Sequence, residues 1–488
     1  MSEDWLRRRL EGLASGGPPA PGDRVGAVLG RARRRTQLRA AAAAVTAAAV
    51  VLGATVLVSG GGAGEQGLVA ASPDPTATSA EPAASGTPSA TATATATPTD
   101  EPQPAATAPG ASPTPVPTDA TRPARDTSVL RLGFIGDVPG APSGPVPGDS
   151  DGAVPVALLR AWVADVNRAG GVDGRRVELL VRDASVDQGD RRRAAQELVD
   201  AGVVAVVGSV LNRLSPDAGA TLLAEHGVPL VGGDLGTADW RTNRLAFAQG
   251  ALVDELAEGM LAVLGEAASA DDRDAAVVCI DGTACDTLQE GVEDGRGEAY
   301  GLRGTFVQRV GISETNYGPV VQRMKAAGTD VVALQMAWQQ AASFALEFER
   351  QNFQPQQVVV QHDLAEELAD EPETAGWYAV QSVFPHVVRD GAAARFHRVG
   401  ADLDLGAPEA RTWVAALLLE RAVAELDGAR ATRAALVEVL RSLRGERLGG
   451  LAPPLDLSGP TTRCVMVARV AFGAWIAPQG LRPTCLAD

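Results

Sequence analysis

Residues 166–209 read VNRAGGVDGRRVELLVRDASVDQGDRRRAAQELVDAGVVAVVGS, and their order of patterns decides the fold. Just upstream, Leu158, Leu159, Trp162, Val163 and Val166 recur at helical spacing. Asn167 to Gly174 (NRAGGVDG) breaks that helix with glycines. VELLV (177–181) is an apolar run of strand length, and the polar stretch over 188–200 reads as the next helix. VVAVV (203–207) is short, β-branched and continuous, as in a strand covered on both faces. Helix, strand, helix, strand predicts parallel pairing through right-handed crossovers.

The same grammar extends outward. VLRLGFIG (129–136) is a strand upstream. Downstream, Ser215-Pro216-Asp217 reads as N-cap, first helical proline and first-turn acid, Gly227 closes that helix, and VPLVGGD (228–234) begins another strand. AAVVCID (275–281), DVVALQM (330–336) and QVVVQHD (357–363) are further strands, and PVVQRMKAAG (319–328) is a short helix with proline first and glycine after it. The chain after Ser128 is too long for one such sheet and fits two. Open α/β sheets bind ligands at the carboxyl ends of their strands, which singles out the loops after residues 136, 207, 231, 280, 334 and 360.

The N-terminal quarter has a different character. The full chain has 488 residues and a net charge of −17, yet residues 1–39 hold nine Arg against four acids. Residues 40–58 (AAAAAVTAAAVVLGATVLV) are uncharged and long enough to span about 28 Å as a helix, one hydrocarbon core. Arg31, Arg33, Arg34, Arg35 and Arg39 precede them, which by the positive-inside rule puts the N-terminus in the cytoplasm. A cleaved signal peptide with a long basic head is the alternative; the full-length span favours an uncleaved anchor. Residues 59–127, rich in Pro, Thr and Ala, carry no aromatic side chain and lack the apolar surface to order themselves. The expected layout is a short basic cytoplasmic segment (1–39), a transmembrane helix (40–58), a disordered linker (59–127) and an α/β module outside the cell membrane (128–488).

Several chemistries are excluded. The acidic balance argues against nucleic-acid binding. Lys325 is the only lysine, which leaves Schiff-base chemistry almost no candidate. No H-E-x-x-H, P-loop or kinase signature occurs, the glycines of GDVPGAPSGPVPGDSDG (136–152) do not form a dinucleotide fingerprint, and no cofactor is expected.

The 166–209 stretch resembles the leucine/isoleucine/valine-binding branch of the type I periplasmic-binding-protein family, in which an N-x-x-G-G-x-x-G-R segment leads into the second strand. YGPVVQRMKAAGTDVVALQM (317–336) is similar to the family's second-lobe helix and strand, GWYAVQSVFP (376–385) to its third hinge crossing, and GGLAPPLDLSGPTTRCVMVARVAFGAWI (449–476) to its closing hairpin. The resemblance implies a two-lobed α/β fold of the Venus-flytrap kind, with lobe 1 over about 128–247 and 385–448 and lobe 2 over about 248–384 and 449–488. It implies a small ligand closed in the cleft without covalent chemistry, and an ABC permease or signalling partner.

On that template the candidate contacts follow. Ser209, Asn212 and Ser215 lie where the family holds the α-carboxylate of an amino acid, before a helix N-terminus that suits an anion; Ser215 is equally read as a plain cap. Asp234 stands where small and hydroxyl residues are usual and would repel a carboxylate, while Thr237 keeps the hydroxyl role. Asp137 follows the first strand, in a loop that lacks the family's Thr-Gly signature. In the second lobe Asp281 follows one strand, Trp338 matches an aromatic wall, and His362 ends another strand with no partner at metal-ligand spacing.

The four cysteines, Cys279, Cys285, Cys464 and Cys485, allow three pairings. Outside the membrane the local pairs 279–285 and 464–485 are favoured, and free buried thiols are the alternative. The expected function is a membrane-anchored solute-binding protein for uptake or sensing; the other reading is an interaction or structural ectodomain that has lost its ligand.

Overall fold

The computed structural model describes residues 126–136, 153–184, 187–209, 211, 216–237, 239–267, 273–361, 364–459 and 461–487. The basic head, the span at 40–58 and the linker lie outside them. Among the described residues no helix is long and apolar enough to cross a membrane.

The first sheet is built from β1 (Leu130–Gly136), β2 (Val177–Asp183), β3 (Ala205–Ser209), β4 (Leu230–Gly233) and β5 (Ala246–Phe247), in the order β2-β1-β3-β4-β5. All its pairs are parallel. Helices α1 (Ala153–Arg168), α2 (Gln188–Asp200) and α3 (Ala218–Glu225) supply the crossovers. The strands are apolar on both faces: Leu130, Leu132 and Phe134 enter one core while Ile135 enters the other, as a sheet covered on both sides requires.

Helix α3 starts two residues later than the proline predicts. Its N-cap is Asp217, which accepts from the amides of Gly219 and Ala220, both at 2.9 Å. The same carboxylate meets the guanidinium of Arg191 from α2, and both side chains are fully buried. The cap is thus also half of a buried ion pair, a double role that neither serine nor proline can fill.

The second sheet takes β6 (Arg273–Ile280), β7 (Leu302–Val310), β8 (Val331–Gln335), β9 (Gln357–Gln361) and β10 (Tyr378–Gln381), with α4 (Val253–Ala267), α5 (Thr283–Glu293), α6 (Gly318–Ala326) and α7 (Trp338–Arg350) on its faces. The chain then rejoins the first lobe with α8 (Ala407–Ala424), α9 (Arg433–Ser442) and a small antiparallel pair, β11 (Arg444–Glu446) and β12 (Leu455–Asp456). It ends on β13 (Cys464–Ala471), β14 (Ala474–Ile476) and β15 (Thr484–Cys485) of the second sheet. That sheet runs β14-β13-β10-β9-β8-β6-β7, parallel except where β13 lies antiparallel to β10 and where β14 and β15 pair with β13.

The switches between lobes are fixed by which core each residue joins. Val383 and Phe384 already belong to the first core, as do Leu451, Ala452, Leu455 and Leu457. The crossing at 376–385, expected as the third, is therefore the second, because the chain changes core once more further on, and it begins right after β10. The third falls between Leu457 and Cys464 rather than at 449, because the leucines of β12 and its approach need the apolar cover of α8. Two crossings touch: the amide of Ala251 donates to the carbonyl of Ser382 at 3.1 Å.

Both disulfides are present, Cys279–Cys285 and Cys464–Cys485, and no described cysteine is free.

Candidate functional site

The carboxyl edge of the first sheet is set by a run of tight backbone contacts. Ser209, the last residue of β3, is buried, and its Oγ accepts from the amide of Leu211 at 3.2 Å. Opposite it, Gly233 has φ +158°, and a Cβ there would stand 2.2 Å from the Ser209 carbonyl oxygen. At Gly232, φ is +61° and a Cβ would strike that of Ala415 in α8 at 2.4 Å. Only glycine fits the pair.

A residue of the first crossing locks this edge. Gln249 is wholly buried; its Nε2 donates to the carbonyl of Gly233 at 2.8 Å and to that of Arg411 at 3.4 Å, and its Oε1 accepts from the amide of Gly233 at 3.1 Å. One amide therefore ties β4, the crossing and α8 together. In the sequence it is only a polar letter in AFAQGALV, whose sole signal is that a glutamine interrupts an apolar run.

Asp234 follows directly. Its Oδ1 accepts from the amide of Gly236 at 2.9 Å, closing an Asx turn, and its carbonyl accepts from the indole of Trp240. Part of its acceptor capacity thus serves its own loop. Thr237 is half-buried at the end of that turn. Asp137, Asn212 and Ser215 lie outside the described residues, as does His362 of the second lobe.

On the second sheet the carboxyl edge presents a charged cluster and an aromatic one. Asp281, next after β6, is exposed and pairs with Arg309 of β7 at 2.8 Å. Arg309 also meets Asp286 at 2.7 Å and donates from Nε to Gln289 Oε1 at 3.0 Å. The hydrogen bonds that the guanidinium donates to Asp281, foremost, and to Asp286 hold it protonated above its ordinary range. Asp281 is thus presented as half of an ion pair, not as a free carboxylate. Cys285 anchors α5 to β6 through Cys279 and so fixes where Asp286 stands.

Trp338 opens α7, half-buried against the second core. The sequence reading missed the residues that bracket it. Gln335, the last residue of β8, and Gln340, in the first turn of α7, each bury an amide oxygen with no hydrogen-bond partner among the described residues. Gln340 spends its Nε2 on the carbonyl of Ile312 at 3.2 Å, which orients its oxygen away from that loop. A buried acceptor without a donor costs about 1–3 kcal/mol, so each of these two oxygens, on either side of Trp338 in sequence, is an acceptor that a ligand donor reaching it would satisfy.

A third unsatisfied group lies just past the second crossing. His386 is buried, its Nδ1 has no partner among the described residues, and burial pushes its pKa down to about 4. Its ring is neutral at physiological pH.

The comparisons with known proteins agree with this architecture. A family profile described as "Periplasmic binding protein" matches residues 130–474. A leucine-binding protein from Thermotoga maritima aligns at 16% identity and TM-score 0.55, over 71% of this chain and 97% of its own. A branched-chain amino acid ABC transporter protein from Thermus thermophilus, with bound valine, aligns at 15% identity and TM-score 0.58, over 74% and 97%. A solute-binding protein of an ABC transporter from R. palustris, in complex with benzoate, aligns at 14% identity and TM-score 0.56, over 74% and 98%. At these identities the likeness is one of fold. No curated protein is significantly similar to the chain.

Proposed function

We propose that this chain, which belongs to the periplasmic binding protein family, captures a small polar ligand between the carboxyl edges of its two sheets, as a solute-binding protein for ABC-type uptake or for sensing. The observation that carries the reading is the pair of partnerless amide oxygens of Gln335 and Gln340, which flank Trp338 in sequence at the carboxyl edge of the second sheet. They call for a ligand with N–H or O–H donors and a face to lay on the indole, as an amino acid or a related compound offers. The first lobe supplies the opposite half-site around Ser209 and the Asp234 turn. Each half-site alone is weak; closure sums them, so binding and closure are one equilibrium.

The module is placed outside the cell and tethered through residues 40–58, with the basic head in the cytoplasm. The disulfides suit an oxidising compartment, and the arginines before the span suit the inside orientation. No catalytic role is assigned.

Melting the full chain against amino acids, amides, polyamines and sugars tests the proposal. At a hundredfold excess over Kd, a true ligand adds about 2.7 kcal/mol of stability and raises the Tm. A melting temperature unmoved by every class would reject the reading in favour of a ligand-free ectodomain.

A further inference from the structure

A cavity of about 560 Å³ opens at the edge of the second sheet opposite to Gln335 and Gln340. Its lining includes Gln357, the first residue of β9, Trp377, which directly precedes β10, and Arg469, paired in register with Tyr378 at the start of β10. β8, β9 and β10 run parallel, so this is their amino-terminal edge.

Part of the wall is aromatic, from Phe348, Phe353 and Trp377. Phe348 packs edge-on to Phe353 with ring centroids 5.3 Å apart, and lies 6.2 Å from Trp377. Three charged residues line the same space, Glu349, Glu373 and Arg469. Glu373 buries its Oε2 with no hydrogen-bond partner among the described residues. Its turn is pinned by Thr374, whose hydroxyl donates to the carbonyls of Leu368 at 2.7 Å and Glu371 at 2.9 Å. Arg469 stacks its guanidinium over the ring of Tyr378 at 5.4 Å and forms no ion pair among the described residues. Carboxylate and guanidinium thus line one cavity without pairing with each other.

We infer that this cavity is a second small-molecule site, which takes a zwitterion: an ammonium group on Glu373, an anionic group on Arg469, and an apolar body against Phe348, Phe353 and Trp377. The ammonium supplies the donor that the buried carboxylate oxygen lacks. The aromatic faces favour both the organic cation and the apolar body. The volume falls in the range of roughly 300–1,000 Å³ usual for small-ligand pockets.

Calorimetric titration of the full chain with L-tryptophan, the dipeptide Ala-Phe and phosphocholine tests the assignment. At least one probe binds, and Glu373→Gln and Arg469→Gln each weaken it by about tenfold or more. Arg469→Lys, which keeps the charge, retains most of the affinity and so separates a lost contact from a lost fold. Trp338→Ala and Arg309→Gln, at the other edge, leave this affinity unchanged. Failure of all probes to bind, binding that survives both neutral substitutions, or binding lost with Trp338→Ala would each overturn it. Binding lost with Trp338→Ala would instead assign the probe to the cleft site proposed above, which melts and variants at Trp338 report separately.

Discussion

Gln249 returns both its amide groups to one residue, Gly233, donating to its carbonyl at 2.8 Å and accepting from its amide at 3.1 Å. A side chain of the first crossing thereby completes the hydrogen bonding that β4 loses where its strand ends. The orientation of the crossing and the shape of the first half-site are set by the same amide. Replacing Gln249 with Ala strands a buried N–H and a buried C=O, and we expect a loss of about 2–4 kcal/mol, read from the denaturant midpoint. An unchanged midpoint would show that the clamp carries no energy.

His386 predicts a pH dependence. Its pKa is about 4 in the folded chain against an ordinary 6.5, because burial disfavours the charged ring. Between those values the unfolded chain takes up a proton that the folded one refuses. The unfolded state then binds more protons, so stability is complete above about pH 6.5 and falls as the pH drops toward 4, by about 3 kcal/mol. His386→Phe should flatten that part of the curve of unfolding free energy against pH. A slope identical to wild type would remove His386 as its source.

The two disulfides should differ in worth. Cys464–Cys485 closes a separation of 21 residues and Cys279–Cys285 one of 6. Loop-closure entropy then gives about 3 kcal/mol for the first and about 2 kcal/mol for the second. Paired Cys→Ser variants compared by urea unfolding check the order, which a larger loss at 279–285 would reverse.

Arg191 and Asp217 are both fully buried, and Asp217 also caps α3. Arg191→Met removes the cation that α2 sets against that carboxylate, with an expected cost of about 3–5 kcal/mol at neutral pH. A variant as stable as wild type would mean that methionine packing replaces the pair in full.

Much of this architecture is legible in the chain. The helix over 188–200 and the strand over 129–136 are bounded by clear period changes, and the structure gives α2 as Gln188–Asp200 and β1 as Leu130–Gly136, one residue shorter than expected. Local spacing also led to the pairing of the cysteines. Other elements carry no local signal. β5 is two residues long, and α8 is buried on nearly all sides, so it shows no amphipathic stripe. The cap at Asp217 was obscured because the serine and proline before it offer a plausible local start, and only Arg191, 26 residues upstream, makes the aspartate the better choice. Gln249, Gln335 and Gln340 were illegible as site residues because glutamine is ordinary on any surface. What distinguishes them is burial and the presence or lack of a partner, which only the fold decides.

The central claim is that one ligand is held by both sheets at once. Amide hydrogen exchange of the full chain, with and without the compound that most raises its melting temperature, tests this directly. The account predicts slowed exchange both at 232–237 in the first lobe and at 335–340 in the second. Protection confined to one of these segments, or absent from both, would contradict it.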